Sequence, residues 1–381
     1  MSLPSLARPT IAEIDLANLR ANLRSSRSFI GEDLTYLAVV KADGYGHGAR
    51  ECARALRDEG AGWLGVATPE EAFDLRTAGL DGPILCMGGF WPGQEDYIIG
   101  LDLTTVVFSV ELAARLNAAA AAADQIVQYH VKIDTGMGRV GIRFDDLEVF
   151  ARALLGFNNL RLDGLMTHFA AADDLTDDFT DLQVRRFYDA VDVFKAAGHD
   201  TTYIDLANSP GAVAHPDARG NMVRLGGILY GLGGDVLPDG IPKPTLKPVM
   251  SLHTAITQIK RVPAGETIGY GRTFTTKRDT QIGTIPIGYH DGYPRALSNK
   301  GHVLVNERPA PVLGRVSMDW TVIDLTDAPD VKIGDRVTVM GRQGGLSVTA
   351  EDLAKLTNTI SYEITCGISS RVPRRYIESD E

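Results

Sequence analysis

Leu34-Thr-Tyr-Leu-Ala-Val-Val40, continued by Lys41-Ala-Asp-Gly-Tyr-Gly-His-Gly-Ala49, is the stretch on which the fold turns. The first run is apolar and β-rich over a length that suits one buried strand. Lys41 closes it. A buried strand does not accommodate an unpaired ammonium, so a lysine at its carboxyl end points into a site or out to water. Gly44, Gly46 and Gly48 let the backbone approach a ligand closely. The pattern then predicts a helix over 49–56. Taken alone, Lys41 reads first as a strand-end lysine reaching solvent. The alternative is a lysine in a dry pocket, where it can lose its charge and form a Schiff base with an aldehyde.

The strand-then-helix unit recurs outward from this stretch. Strand candidates are 36–40, 64–67, 84–87, 104–108, 127–133, 160–166, 202–206 and 222–225, and amphipathic or Ala/Leu-rich segments lie at 69–78, 110–123, 147–155 and 182–197. Eight mostly apolar strands, each followed by a helix-length connection, predict an α/β fold, a closed parallel (β/α)8 TIM-type barrel. Gly44-Tyr-Gly-His-Gly48 lacks the Gly-x-Gly-x-x-Gly spacing of a dinucleotide fold. Beyond residue 245 the texture changes to short β-rich runs at 252–259, 281–287, 302–305, 321–325 and 336–340, separated by turn signals. These predict a smaller, mostly antiparallel β domain with one helix over 350–356. The expected domains are therefore 1–245, the barrel, and 246–381, the C-terminal β domain.

Composition bounds the function. A chain of 381 residues has room for two domains, and 44% hydrophobic with 23% charged residues supplies an ordinary globular core. A formal net charge of -11 argues against nucleic acid or an anionic membrane as partner. Cys52, Cys86 and Cys366 show neither disulfide nor zinc spacing, so no metal site is expected and the chain reads as cytoplasmic. The N-terminal residues carry no leader pattern, and no apolar run reaches membrane-spanning length.

Active sites of such barrels gather at the carboxyl ends of the strands. After the fifth strand, Lys132-Ile-Asp-Thr-Gly-Met-Gly-Arg139 brings an arginine behind two glycines, where its fork could clamp a carboxylate or a phenolate oxygen. His168 ends the sixth strand, and a histidine there is as often structural as catalytic. Ala207-Asn-Ser-Pro-Gly-Ala212 reads as a helix cap, with Ser209 before Pro210; the sharper reading is an anion site. Arg224-Leu-Gly-Gly227 closes the eighth strand with a glycine pair where barrels commonly bind phosphate. Lys41, Ser209, Gly226 and Gly227 together describe an aldehyde-binding lysine facing a phosphate cup, as pyridoxal 5'-phosphate requires.

Taken in order, AVVKADGYGHGA, KIDTGMGRVG, MTHFAAAD, ANSPGA, NMVRLGG, IGYGRTF, IGYHDGYPRA, GRVSMDW and SYEITCGISSRVPR closely resemble the alanine racemase family. The resemblance runs along nearly the whole chain. It implies a barrel plus C-terminal β domain, pyridoxal phosphate as cofactor, interconversion of L- and D-alanine for peptidoglycan, and a head-to-tail homodimer whose sites draw on both chains. By the same resemblance Lys41 would carry the cofactor and act as one base, with Tyr270 of the other subunit as the opposite base. Tyr45, His168, Ser209, Arg224, Gly226, Gly227 and Tyr362 would surround the cofactor. Arg139, Met318 and Asp319 would meet the substrate, supported by Lys132, Asn208 and Tyr289. Lys132 can be carbamylated in this family. Gly227 stands where a bulkier aliphatic often occurs, which suggests a looser loop. Alternatives are a broad-specificity racemase of serine or other small amino acids, a related pyridoxal-phosphate decarboxylase, and a non-catalytic pyridoxal-phosphate carrier. Arg224, where the decarboxylase would place an acid, argues against the second. The C-terminal domain with Tyr270 argues against the third.

Overall fold

The structure is a computed structural model that describes residues 8–328 and 330–379; the N-terminal residues 1–7, read as carrying no leader, lie outside it. Eight strands, Thr35–Val39, Trp63–Val66, Ile84–Cys86, Thr104–Val107, Val127–Asp134, Leu160–Met166, Tyr203–Asp205 and Met222–Leu225, pair in parallel and in chain order. Met222 lies opposite Thr35 and Leu225 opposite Ala38, so the last strand pairs with the first and the barrel closes. The period of two sorts the side chains. Leu37, Val39, Trp63, Leu85, Val106, Met166 and Met222 pack together as one cluster. Tyr36, Ala38, Leu64 and Ile84 join the larger core that the helices share. Thr68 and Ser109 cap the helices Pro69–Thr77 and Val110–Ala122 through their hydroxyls, which explains where those helices start.

The strand Ile11–Asp15 departs from the division at residue 245. It pairs antiparallel with Met250–Ala255 and parallel with Arg374–Ile377, so the chain enters the C-terminal sheet before it builds the barrel. Ala12 and Ile14 are fully buried there. Glu13 between them is held by Arg336 at 2.7 Å, by Arg375, and by His253 at 3.4 Å. Those partners lie more than two hundred residues away, so the strand's place was not readable locally. The run expected over 252–259 splits into Met250–Ala255 and Gln258–Val262, which belong to different sheets. A second helix, Ser361–Cys366, follows Ala350–Thr357 where one was expected. Asn358 in the left-handed region stops the first helix, and six residues are too few for a helical period to show. Among the described residues no helix is long and apolar enough to cross a membrane.

Three histidines, His47, His130 and His253, are buried, and His168 is half-buried. Burial is the largest cause that pushes their pKa values down from 6.5, to about 4, 3, 4 and 2 respectively. A histidine with a depressed folded pKa stays neutral in the folded chain while the unfolded chain protonates it near 6.5. Stability is therefore full above that pH and is lost as pH falls toward the folded values. Melting temperatures of the cofactor-free protein should drop from pH 6.5 to pH 4.5, with a slope that His47→Gln makes shallower. An unchanged slope in that variant would contradict this assignment.

Candidate active site

At the carboxyl ends of the barrel strands lies a cavity of about 490 Å³ lined by Lys41, Tyr45, Lys132, Arg139, His168, Asn208, Ser209, Arg224, Gly226, Gly227 and Tyr362. A larger cavity, about 650 Å³, sits at the junction of the two domains, but it lacks the lysine and the glycine pair. The site is the smaller one.

Lys41 ends the first barrel strand and begins a turn in which Ala42, Asp43, Gly44 and Tyr45 all adopt left-handed angles, φ between 53° and 61°. Such angles are costly for alanine, aspartate and tyrosine. The turn persists because the Ala42 N–H donates to Glu71 Oε1 at 2.7 Å and the Ala49 N–H donates to Asp43 Oδ1 at 2.8 Å. Gly46 is required here, since a Cβ would come within 2.1 Å of the Thr365 carbonyl oxygen. The turn fixes Lys41 and Tyr45 on one wall. Burial, then the charge of Arg139, lowers the Lys41 pKa and favours a neutral nucleophilic amine.

The anion cup is assembled differently from the sequence reading. Asn208, not Ser209, caps the helix Ser209–Ala214, accepting from the Gly211 N–H at 3.1 Å. Ser209 sits one position inside, and its hydroxyl accepts from the Gly226 N–H at 3.0 Å. A Cβ on Gly226 would lie 2.4 Å from the Tyr45 hydroxyl, and one on Gly227 would lie 2.2 Å from that of Tyr362. The loop at Gly227 is thus not loose: Tyr362 fills the space a side chain would take. Burial pushes both tyrosine hydroxyls up, so they stay protonated as donors. The hydroxyls of Tyr45, Tyr362 and Ser209 and the backbone of Gly226 and Gly227 line one cavity, with the Gly226 N–H held on Ser209, and such a set of donors suits a phosphate ester. The residues fit pyridoxal phosphate.

Between lysine and cup run the cationic residues. Arg224 is buried, paired with Asp205, and faces His168 Nδ1 at 3.4 Å. Lys132 is also buried, and its ammonium end lies 3.3 Å from the Thr167 carbonyl oxygen. Burial and the Arg224 charge hold its pKa well below the usual lysine value. Asp134 accepts from the Gly136 N–H at 2.9 Å and the Gly138 N–H at 3.0 Å, folding the loop that carries Arg139 to the pocket.

Four residues expected at the site do not line this pocket. Tyr270 is 71% exposed on a short 3-10 turn, Met318 is 51% exposed, and Tyr289 is exposed next to the Met318 segment, its N–H donating to the Ser317 carbonyl oxygen. Asp319 pairs with Arg371 at 2.7 Å on the same surface. Three residues the sequence reading missed are present. Asp205 backs Arg224, Glu71 supports the turn after Lys41, and Cys366 lines the pocket. Cys366 shows neither disulfide nor zinc spacing to single it out, and nothing in local sequence marks an aspartate at a strand end as an arginine's partner.

Fold and site together define a barrel-plus-β-domain enzyme with a half-buried lysine in one pocket with a phosphate cup. Family models for the alanine racemase N-terminal and C-terminal domains match residues 14–233 and 249–376. The chain belongs to the alanine racemase family. It is 44% identical to an alanine racemase of Geobacter sulfurreducens over 97% of this chain and 98% of that protein. A solved alanine racemase from D-cycloserine producing Streptomyces lavendulae superposes with a TM-score of 0.91 at 35% identity, covering 98% of each chain. That from Bartonella henselae, with covalently bound pyridoxal phosphate, gives 0.87 at 29% identity over 97% of this chain and 99% of that one.

Proposed function

We propose that this chain interconverts L-alanine and D-alanine with pyridoxal phosphate held between Lys41 and the cup of Ser209, Tyr45, Tyr362, Gly226 and Gly227. The observation that carries this is the lysine with a lowered pKa facing a cup that only glycine permits. When bound, pyridoxal phosphate withdraws electrons from the substrate's α-carbon and so weakens its α C–H bond. The chain's own residues do the rest. Lys41 Nζ takes or returns a proton on one face. Arg139 clamps the substrate carboxylate. Arg224 would face the ring nitrogen of the cofactor, and because a guanidinium only donates, that nitrogen would be left as an acceptor, which would favour proton exchange over side reactions. Lys132, whose pKa is lowered by burial and by the Arg224 charge, is suited in its deprotonated form to add to carbon dioxide, releasing a proton and gaining a negative charge near Arg139.

A racemase needs a second base on the opposite face, and no residue of the pocket wall supplies it. Tyr270 lies exposed with Tyr289, Met318, Trp320 and Asp319 on the C-terminal domain. A second copy of the chain covering that patch would bring Tyr270 into its pocket, opposite Lys41. Ordinary tyrosine, with a pKa of about 10, is a weak base at neutral pH, so the cations of the receiving pocket are needed to favour its phenolate. Tyr289, Tyr362 and Met318 would narrow the space beyond the substrate's β-carbon, favouring alanine over larger amino acids.

The test is a coupled assay for D-alanine with purified protein and pyridoxal phosphate. Formation of D-alanine from L-alanine, and the reverse, is expected; carbon dioxide release without D-alanine would favour the decarboxylase. A separate expectation concerns the cup. Gly227→Val forces Tyr362 aside and should weaken pyridoxal phosphate binding about tenfold or more, measured by titrating the cofactor-free protein. Unchanged affinity would mean the cup does not hold the phosphate.

A further inference from the structure

Arg224 reaches the pocket wall from the last barrel strand with its guanidinium nearly all buried. Its Nη1 donates to the Asp205 carboxylate and lies 3.4 Å from the Asp205 carbonyl oxygen. Its Nη2 donates to the carbonyl oxygens of Thr167 at 2.9 Å and Leu206 at 3.2 Å, and faces His168 Nδ1 at 3.4 Å. Among the described residues nothing accepts from Nε. With both ends of the fork occupied, Nε–H is the donor left for a ligand.

Asp205 ends the seventh barrel strand, is fully buried, and stands behind Arg224 rather than on the pocket wall. Its Oδ2 accepts from none of the described residues. A buried carboxylate with an unused oxygen is expensive, and buried ion pairs are often replaceable by apolar groups without loss of stability. Folding alone gives this position little reason to be acidic. Its geometric effect is specific: Nη2 finds main-chain acceptors, but Nη1 has its short, charge-assisted contact only with Asp205. Arg139 also lines the pocket, so a negative charge behind Arg224 offsets the repulsion between two guanidinium groups in one cavity.

We propose that Asp205 is a positioning residue that anchors Nη1 of Arg224, turns Nε toward the ring nitrogen of bound pyridoxal phosphate, and neutralises the guanidinium there. This rests on the cofactor reading of the pocket. Asp205 acts through Arg224 and touches neither substrate nor cofactor.

The test compares wild type with Asp205→Asn, Asp205→Ala and Asp205→Glu, each loaded with pyridoxal phosphate labelled with ¹⁵N in the ring. Asp205→Asn should lower kcat for alanine about tenfold and Asp205→Ala up to about a hundredfold, the scale of a misplaced active-site group. KM for alanine should stay within about twofold, because no substrate contact is removed. The ring ¹⁵N resonance should move from its wild-type position in both variants, and Asp205→Glu should recover part of kcat by keeping the charge. Lower melting temperatures with wild-type kcat per bound cofactor and an unmoved resonance would overturn the proposal. If Asp205→Asn does not fold, Asp205→Glu decides. Its extra methylene must displace the Nη1 contact, so a shifted resonance with reduced kcat supports the proposal and wild-type values overturn it. A wild type that neither binds pyridoxal phosphate nor racemises alanine removes the functional reading, and this proposal with it. A wild type that does both, beside an indistinguishable Asp205→Asn, overturns the Asp205 assignment alone.

Discussion

Lys41→Ala should lose racemisation by about a thousandfold or more, together with the visible absorbance that pyridoxal phosphate gains on joining a lysine. The loss follows from position. Lys41 is the amine at the end of the first barrel strand whose pKa is lowered by burial and by Arg139, and the left-handed turn after it is locked by Glu71 and by Arg374, which donates to the Gly46 carbonyl oxygen. Lys132 also lines the pocket, but it is held against the Thr167 carbonyl oxygen and is not positioned to replace it. The cup of Ser209, Gly226 and Gly227 is untouched by the change, so the variant should still bind the cofactor, non-covalently and more weakly. Near-normal activity in Lys41→Ala would end the reading of the site.

Tyr270→Phe should depress racemisation in both directions by roughly a hundredfold to ten-thousandfold, the usual range for removing one acid–base group. Each full turnover needs a proton taken from one face and returned on the other, so losing either base stops both directions. Exchange of the α-hydrogen of D-alanine with solvent uses Lys41 alone and should persist in the variant. The Tyr270 side chain lies exposed, so the substitution should leave the melting temperature of the isolated chain nearly unchanged. Loss of exchange along with racemisation would assign Tyr270 to cofactor binding or to chain association instead.

The barrel was legible because most of its strands are buried on both faces and read as short apolar runs followed by a helix-length connection. All eight expected strands are present with ends displaced by only a residue or two. The strand Ile11–Asp15 was not legible, because its place in the C-terminal sheet is set by Arg336, Arg375 and His253 across the fold. The helix Ser361–Cys366 was too short for a period. At the site, glycines and strand-end cations announced themselves by residue type and position. Two features needed coordinates. Ser209 looked like a cap, but Asn208 takes that role and frees Ser209 for Gly226. Gly227 looked like slack, but Tyr362 occupies the space it leaves. Asp205 and Cys366 carried no local signal, since what matters about them is only which side chain they meet.

The claim that joins these elements is that one active site takes Lys41 from one chain and Tyr270 from another. It is tested most directly by co-folding two inactive variants, Lys41→Ala and Tyr270→Phe, in equal amounts. Random pairing makes half of the dimers mixed, and each mixed dimer has one site with both residues intact and one with neither. Racemase activity should therefore return to about a quarter of that of wild type at equal chain concentration. A mixture as inactive as its components would place both residues in the same chain's site, or remove Tyr270 from the reaction, and would contradict the account.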